Sequence, residues 1–307
     1  MTGIRKTSLI IQCLTLCSLL ISVPAWSWCV LTPPQNAPYF RIISDILDGF
    51  KEVTPDFTTV TTTESLPESC NSGEGYVILG PDPYQHFGKA LKPEQVNIAV
   101  AVEVEDNPLI DHWFKYILSP NSLAKQLSAL EPNLKTVHIV TNPQADQNLL
   151  DTAFAAFEKA GIQLENHQIR EPKYASRMIE GIIKKMKPDS EALWISPHHG
   201  QYGLPALLPT IIKQSLYGQK MSIGNNLQWI DKGIYLGLFP DNIGFGREIG
   251  EIAKAHETPE ESAKEHETEF HYIESASFAA NRKTLRFLNK KHTDEQLEMI
   301  KLWLPKN

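Results

Sequence analysis

The chain has little cysteine, no surplus of basic charge, no serine-hydrolase elbow and, beyond its first residues, no long apolar run. Each absence removes a class of function. Only four of its 307 residues are cysteine, and Cys13 and Cys17 fall inside an amino-terminal apolar segment, leaving Cys29 and Cys70. Lysine and arginine total 29 against 36 aspartate and glutamate, with no basic patch. Nucleic acid and anionic membrane surfaces are therefore excluded as partners. The G-x-S-x-G turn that raises a nucleophilic serine occurs nowhere. No later stretch approaches the roughly 20 apolar residues a spanning helix needs, so stable membrane insertion is not expected. Short internal repeats and low-complexity tracts are missing too.

What is present begins with an export signal. Arg5 and Lys6 precede an apolar run from Leu9 to Ile21, and the small residues Ala25 and Ser27 follow. That order is the grammar of a secretory signal peptide over residues 1–27, cleaved after Ala25 or after Ser27. A retained anchor is the alternative, but the run is about 13 residues, short for a span. Without Arg5 and Lys6 the chain carries 27 basic against 36 acidic residues, a net charge of −9. In an oxidising compartment the even pair Cys29 and Cys70 reads as one disulfide, the alternative being two reduced thiols. The bridge would close a loop of about 40 residues and contribute ~3–4 kcal/mol. A mature chain of about 280 residues is right for two lobes rather than one core.

Strand-like and helix-like segments then alternate. Cys29–Thr32 is a short strand, and Tyr39, Ile43, Ile46, Leu47 and Phe50 recur at helical spacing. Phe57–Thr63 has a strand composition. Tyr76–Leu79 is a strand ending at Gly80-Pro81-Asp82-Pro83, with a helix from near Tyr84, and Val96–Val102 is a further strand. Lys135–Val140, a helix carrying Leu150, Phe154 and Phe157, and a stop at Gly161 form the cleanest unit. Ile162–Ile169 is extended. Met178, Ile179, Ile182, Ile183 and Met186 mark a helix ended by Pro188, and Ala192–Ile195 is a buried strand. A helix over 205–217 and strands at Met221–Ile223 and Tyr235–Phe239 follow. Repeated βαβ units imply α/β architecture with parallel sheets covered by helices.

Such sheets bind ligands at the carboxyl ends of their strands. The loops there offer Gln35 and Tyr39, Asp82 and Tyr84, Ser196, Asn225 and Asn226, and Asp241 and Asn242, a lining suited to a polar small molecule. His198-His199 follows the strand ending at Ile195, and His198 is taken as facing the same place. Gly244-Phe245-Gly246-Arg247-Glu248-Ile249-Gly250 misses the dinucleotide fingerprint by one residue and reads as turn glycines feeding a helix. His266 and His271 are five apart, about 500° on a helix, so they do not share a face as a zinc-protease pair must. The acidic stretch Glu251–Glu274, with His256, His266 and His271, reads as a solvated face, and neither metal nor cofactor is expected.

The segment Gly233-Ile234-Tyr235-Leu236-Gly237-Leu238-Phe239-Pro240-Asp241-Asn242-Ile243-Gly244 resembles periplasmic binding proteins of the type I fold. It is most similar to the ABC-transporter substrate-binding family of tryptophan- and tyrosine-type binding proteins. Ala276–Trp303, Tyr116–Asn121 and Leu130–Val137 resemble that family's closing strand and helix, its crossing between lobes and its lead-in to lobe two. The resemblance implies two Rossmann-like parallel-sheet lobes joined by a three-crossover hinge. Lobe one would be 29–118 plus 235–262, and lobe two 119–234 plus 263–307. It implies a periplasmic, non-enzymatic protein that captures an amino-acid-like molecule for an ABC permease. A ligand carboxylate would meet Ser119 and Ser196 at helix starts, and a ligand amine would meet Asp82 or Asp241. A sensing subunit docking on a membrane kinase or cyclase is the second reading. A neighbouring gene for a permease and ATPase favours transport, and one for a receptor with a periplasmic domain favours sensing.

Overall fold

The structure is a computed structural model, describing residues 28–102, 107–141, 147–195, 204–256 and 268–306. The export signal at 1–27 lies outside the described residues. The chain opens with β1 (Trp28–Thr32), α1 (Phe40–Val53), β2 (Phe57–Thr61), β3 (Gly75–Leu79), α2 (Pro81–Phe87), β4 (Val96–Val100) and β5 (His112–Leu118). It continues through α3 (Pro120–Leu130), β6 (Thr136–Thr141), α4 (Gln147–Lys159), β7 (Gln163–Gln168), α5 (Ala175–Lys185) and β8 (Glu191–Trp194). Then come α6 (Leu204–Gly218), β9 (Met221–Gly224), α7 (Leu227–Lys232), β10 (Leu236–Pro240) and α8 (Asn242–Ala255). The chain closes with β11 (Glu269–Ile273), β12 (Ala276–Asn281), α9 (Arg282–Phe287), α10 (Asp294–Glu298) and β13 (Ile300–Leu304).

Two sheets result. The first has the order β11-β5-β4-β3-β1-β2 and is parallel throughout. The second has the order β13-β12-β10-β9-β8-β6-β7, with only β12 antiparallel to β10. The central strands β1 and β3 are buried at every position, which is why they read as unbroken apolar runs. Helices cover both faces, and each sheet has a core on either side. Two Rossmann-like lobes joined by three crossings is therefore the architecture. Among the described residues no helix is long and apolar enough to cross a membrane.

Strand membership moves the expected lobe boundaries. β10 was placed in lobe one, yet Leu236 pairs with Ile223 and with Ala280, both in the second sheet. β11 was placed in lobe two, yet Glu269 pairs with His112 in the first sheet. The return crossing falls after Pro240 and the last one at Glu274-Ser275. Part of the supposed solvated acidic face is thus an edge strand.

The glycines after Asn242 are not turn residues either. They lie within α8, where it crosses α1. A Cβ on Gly246 would stand 2.0 Å from the Ile46 carbonyl oxygen, and one on Gly49 would stand 1.9 Å from that of Ile243. Backbone contact this close is open only to glycine. Cys29 and Cys70 form a disulfide, Cα–Cα 5.6 Å, tying β1 to the turn before β3. Both are buried.

Candidate functional site

The carboxyl ends of β1, β3 and β4 converge on one rim of the first lobe. The loop after β1 leaves Gln35 exposed and brings Tyr39 to the start of α1. The Tyr39 ring lies over Gly80, whose φ of +100° turns the chain from β3 into α2. There Tyr39 Oη donates to Asp82 Oδ2 at 2.8 Å. Burial raises the Tyr39 phenol to about 12, and the hydrogen bond to Asp82 and its charge push the same way. The phenol therefore stays protonated and donates to Asp82 at the surface. Two helical residues further, Tyr84 Oη accepts from Asn107 Nδ2 at 2.7 Å. Tyr39, Asp82 and Tyr84 are thus brought together on one rim, joined by Asn107. Sequence reasoning missed Asn107, because it sits in an irregular loop with no periodic neighbour.

The second lobe's rim is formed by the carboxyl ends of β6, β8 and β9. Asn225 follows β9, at the centre of that sheet. Its Oδ1 is buried and has no hydrogen-bond partner among the described residues. The next residue, Asn226, is consumed locally, its side chain accepting from Gln228 N at 2.8 Å to cap α7. Ser196 and His198 lie outside the described residues.

The two remaining candidates sit in the crossings. Ser119 is fully buried, and its hydroxyl accepts from Asn121 N at 3.0 Å as the cap of α3. In this conformation it is a structural cap. Asp241 is exposed, with Oδ1 accepting from Gly244 N at 3.1 Å to cap α8. The crossings are tied to one another. Ser119 N donates to Ile273 O at 2.8 Å, and Asp241 N donates to Ser275 O at 3.0 Å. Tyr116 Oη donates to Asn242 Oδ1 at 2.8 Å.

His256 and His271, set aside as solvated, gather around His112 at the start of β5. His112 Nδ1 lies 3.1 Å from His271 Nε2, and its Nε2 lies 2.8 Å from His256 Nε2. His266 lies outside the described residues. An apolar groove of about 640 Å³ on the outer side of lobe two is lined by Leu208, Ile212, Leu216, Tyr217 and Phe287.

No protein-family model matches the chain, and no curated protein matches it. Solved structures do. A substrate-binding protein with adhesive properties from Clostridium difficile, in its ligand-free, open structure, is 13% identical with a TM-score of 0.59. That match covers 92% of this chain and 99% of the other. A structure of the XylFII–LytSN complex matches with 13% identity and a TM-score of 0.51, covering 82% and 96%. An ABC domain in complex with L-Trp from Streptococcus pneumonia is 15% identical, with a TM-score of 0.48 and coverage of 91% and 100%. The fold is that of the type I periplasmic binding proteins.

Proposed function

We propose that this chain is an exported solute-binding protein that captures a small, polar, amino-acid-like molecule between its lobes for delivery to an ABC permease. The reading rests on one observation above all, the buried Asn225 Oδ1 that has no partner among the described residues at the carboxyl end of a central strand. Leaving such an acceptor unpaired costs about 1–3 kcal/mol, which an N–H or O–H of a bound solute would recover. The first lobe's rim supplies the complementary chemistry. Asp82 can accept from a ligand ammonium, and the tyrosine rings of Tyr39 and Tyr84 offer a flat apolar wall. Closure would exclude water and strengthen these contacts, shifting the population toward the closed form.

The test is a thermal-shift screen of the mature protein against amino acids, polyamines, sugars and nucleosides. A solute at 100 times its Kd adds about 2.7 kcal/mol of stability, and Asn225→Ala and Asp82→Asn should each weaken it. Asp241→Asn separates two roles, since asparagine keeps the helix cap but loses the charge. Weaker binding of a cationic solute by that variant would place Asp241 in the site. A screen without a single shift, or a shift that Asn225→Ala leaves intact, overturns the reading.

The second reading, a sensing subunit docking on a membrane kinase or cyclase, draws on the outer apolar groove, where Tyr217 and Phe287 are largely exposed. Apolar surface of this kind marks a partner-binding face. Paired Tyr217→Ser and Phe287→Ser changes that preserve solute affinity but uncouple it from the membrane response would favour sensing.

A further inference from the structure

The outer edges of the two sheets are built alike. β7 is the edge strand of the second sheet and carries Glu165-Asn166-His167, and the parallel register sets His138 of β6 opposite Glu165. β11 is the edge strand of the first and carries Glu269-Phe270-His271, with His112 of β5 opposite Glu269. Residues two apart on a strand share a face, so register alone brings one carboxylate and two imidazoles together at each edge. Their donor atoms lie within 4.8 Å of one another in both places.

The second-lobe cluster has the geometry of a coordination shell. His138 Nδ1 stands 3.1 Å from His167 Nε2 and 3.2 Å from Glu165 Oε2. Tetrahedral bonds of roughly 2.0–2.1 Å place neighbouring donors about 3.3 Å apart. The other nitrogen of His138 lies 3.2 Å from Glu191 Oε2. A carboxylate only accepts, so the hydrogen of this contact is on Nε2, and Nδ1 is the atom turned toward Glu165 and His167. A metal ion would take the Nδ1 lone pair together with His167 Nε2 and the Glu165 carboxylate. A carboxylate holding the far N–H of a ligating imidazole is the usual outer support of a metal site.

There is also space. A cavity of about 340 Å³ is lined by these four residues and by Arg177, Gly181 and Lys185. A Cβ on Gly181 would meet nothing within 4 Å, so α5 leaves the room above the cluster open. Arg177 and Lys185 oppose a dication, while Glu165 and Glu191 offset them. The two cations suit an anionic fourth ligand reaching the ion from the cavity.

We propose that His138, His167 and Glu165 bind one divalent transition-metal ion of the zinc type, with Glu191 orienting His138 and a fourth position open to the cavity. This site is separate from the strand-end rims, and it stands or falls independently of solute capture.

The test uses tag-free mature protein stripped with chelator, in a His112→Ala/His271→Ala background that removes the first-lobe cluster. Co²⁺ alone is titrated and followed by visible absorption, and Zn²⁺ is then used to displace it in a calorimeter. One tetrahedral Co²⁺ per chain is expected. His138→Ala should abolish binding, and Glu191→Gln should weaken it about 10–100-fold with the stoichiometry kept. Circular dichroism in chelator reports whether each variant folds, and His167→Gln on the edge strand serves should His138→Ala not fold. Binding that survives both histidine changes, or no tetrahedral absorption in the background protein, removes the site. In the latter case hydrogen bonds alone hold the three groups together.

Discussion

Two carboxylates, Glu131 buried and Glu248 half-buried, respond to acid in opposite directions, and the reason lies in their surroundings. Glu131 ends α3 among Tyr235, His292 and Lys290. Tyr235 Oη donates to its Oε1, His292 Nε2 lies 2.9 Å from the same oxygen, and Lys290 Nζ lies 3.6 Å from Oε2. Burial pushes its carboxyl upward, but the hydrogen bonds of His292 and Tyr235 and the charge of Lys290 outweigh it and hold it below the ordinary 4.5. Glu131 therefore contributes stability in full above about 4.5, and that contribution is lost as pH falls through the lower folded value. Glu248 is held above 4.5, chiefly by burial and also by the charge of Glu274, against the hydrogen bonds it accepts from Ser275 and Glu274. Its burial costs stability at neutral pH and is relieved as pH falls through the folded value. Urea unfolding should show Glu131→Ala about 3–5 kcal/mol less stable at pH 7, as expected when one partner of a buried charged group is removed. Against Glu131→Gln the wild-type advantage should shrink on acidification. A gap that stays constant from pH 7 to strongly acidic conditions would mean that Glu131 is not held ionised by its partners as the geometry requires.

At the scale of elements, α1 and α8 test whether contact or propensity governs. Alanine is favoured over glycine in a helix interior by about 1 kcal/mol, so propensity alone makes Gly246→Ala stabilising. The close approach says otherwise, because the added carbon meets the Ile46 carbonyl oxygen at 2.0 Å. Overpacking of this kind costs typically ~1–3 kcal/mol, so the net effect should be destabilising, read as a lower melting temperature. A higher one would show that the helices separate freely. The same pair marks what the sequence could not reveal. Strands buried on both faces, such as β1, β3 and β9, announce themselves as apolar runs. β5 and β11 do not, since an edge pair with one half-exposed face interleaves histidine, lysine and glutamate among its aromatics. The glycines of α8 are visible in sequence, but the helix they touch is nearly 200 residues away. The rim residues Tyr39, Asp82 and Tyr84 were legible because strand ends are legible. The pairing of His138 with His167 was not, because only strand register puts them side by side.

The whole molecule turns on three crossings, and the third is held from both sides. Its backbone at Glu274 and Ser275 donates to the Glu248 carboxylate of α8 in the first lobe. From the second lobe, Ser122 Oγ donates to the Glu274 carbonyl at 2.5 Å, and Gln126 Nε2 donates to Ala276 O at 3.0 Å. Ile273 O and Ser275 O in turn accept from Ser119 and Asp241, the first residues past the other two crossings. The third segment is thus the pin through which the first and second are coupled, and a rotation of one lobe must carry all three. Glu248 is the only one of these contacts made by a charged side chain from the first lobe onto that pin, so it should set how narrowly the interlobe angle is distributed. Glu248→Ala should leave each sheet folded, since the lobes' cores do not depend on it. Small-angle scattering of the solute-free variant should then show a larger maximum dimension and a broader distance distribution than wild type. A solute that bridges the lobes should restore the wild-type curve, at an apparent affinity reduced by the fraction of molecules in the competent geometry. Superimposable solute-free curves for the two proteins would mean that the backbone crossings alone define the hinge, and that Glu248 merely fills a half-buried position.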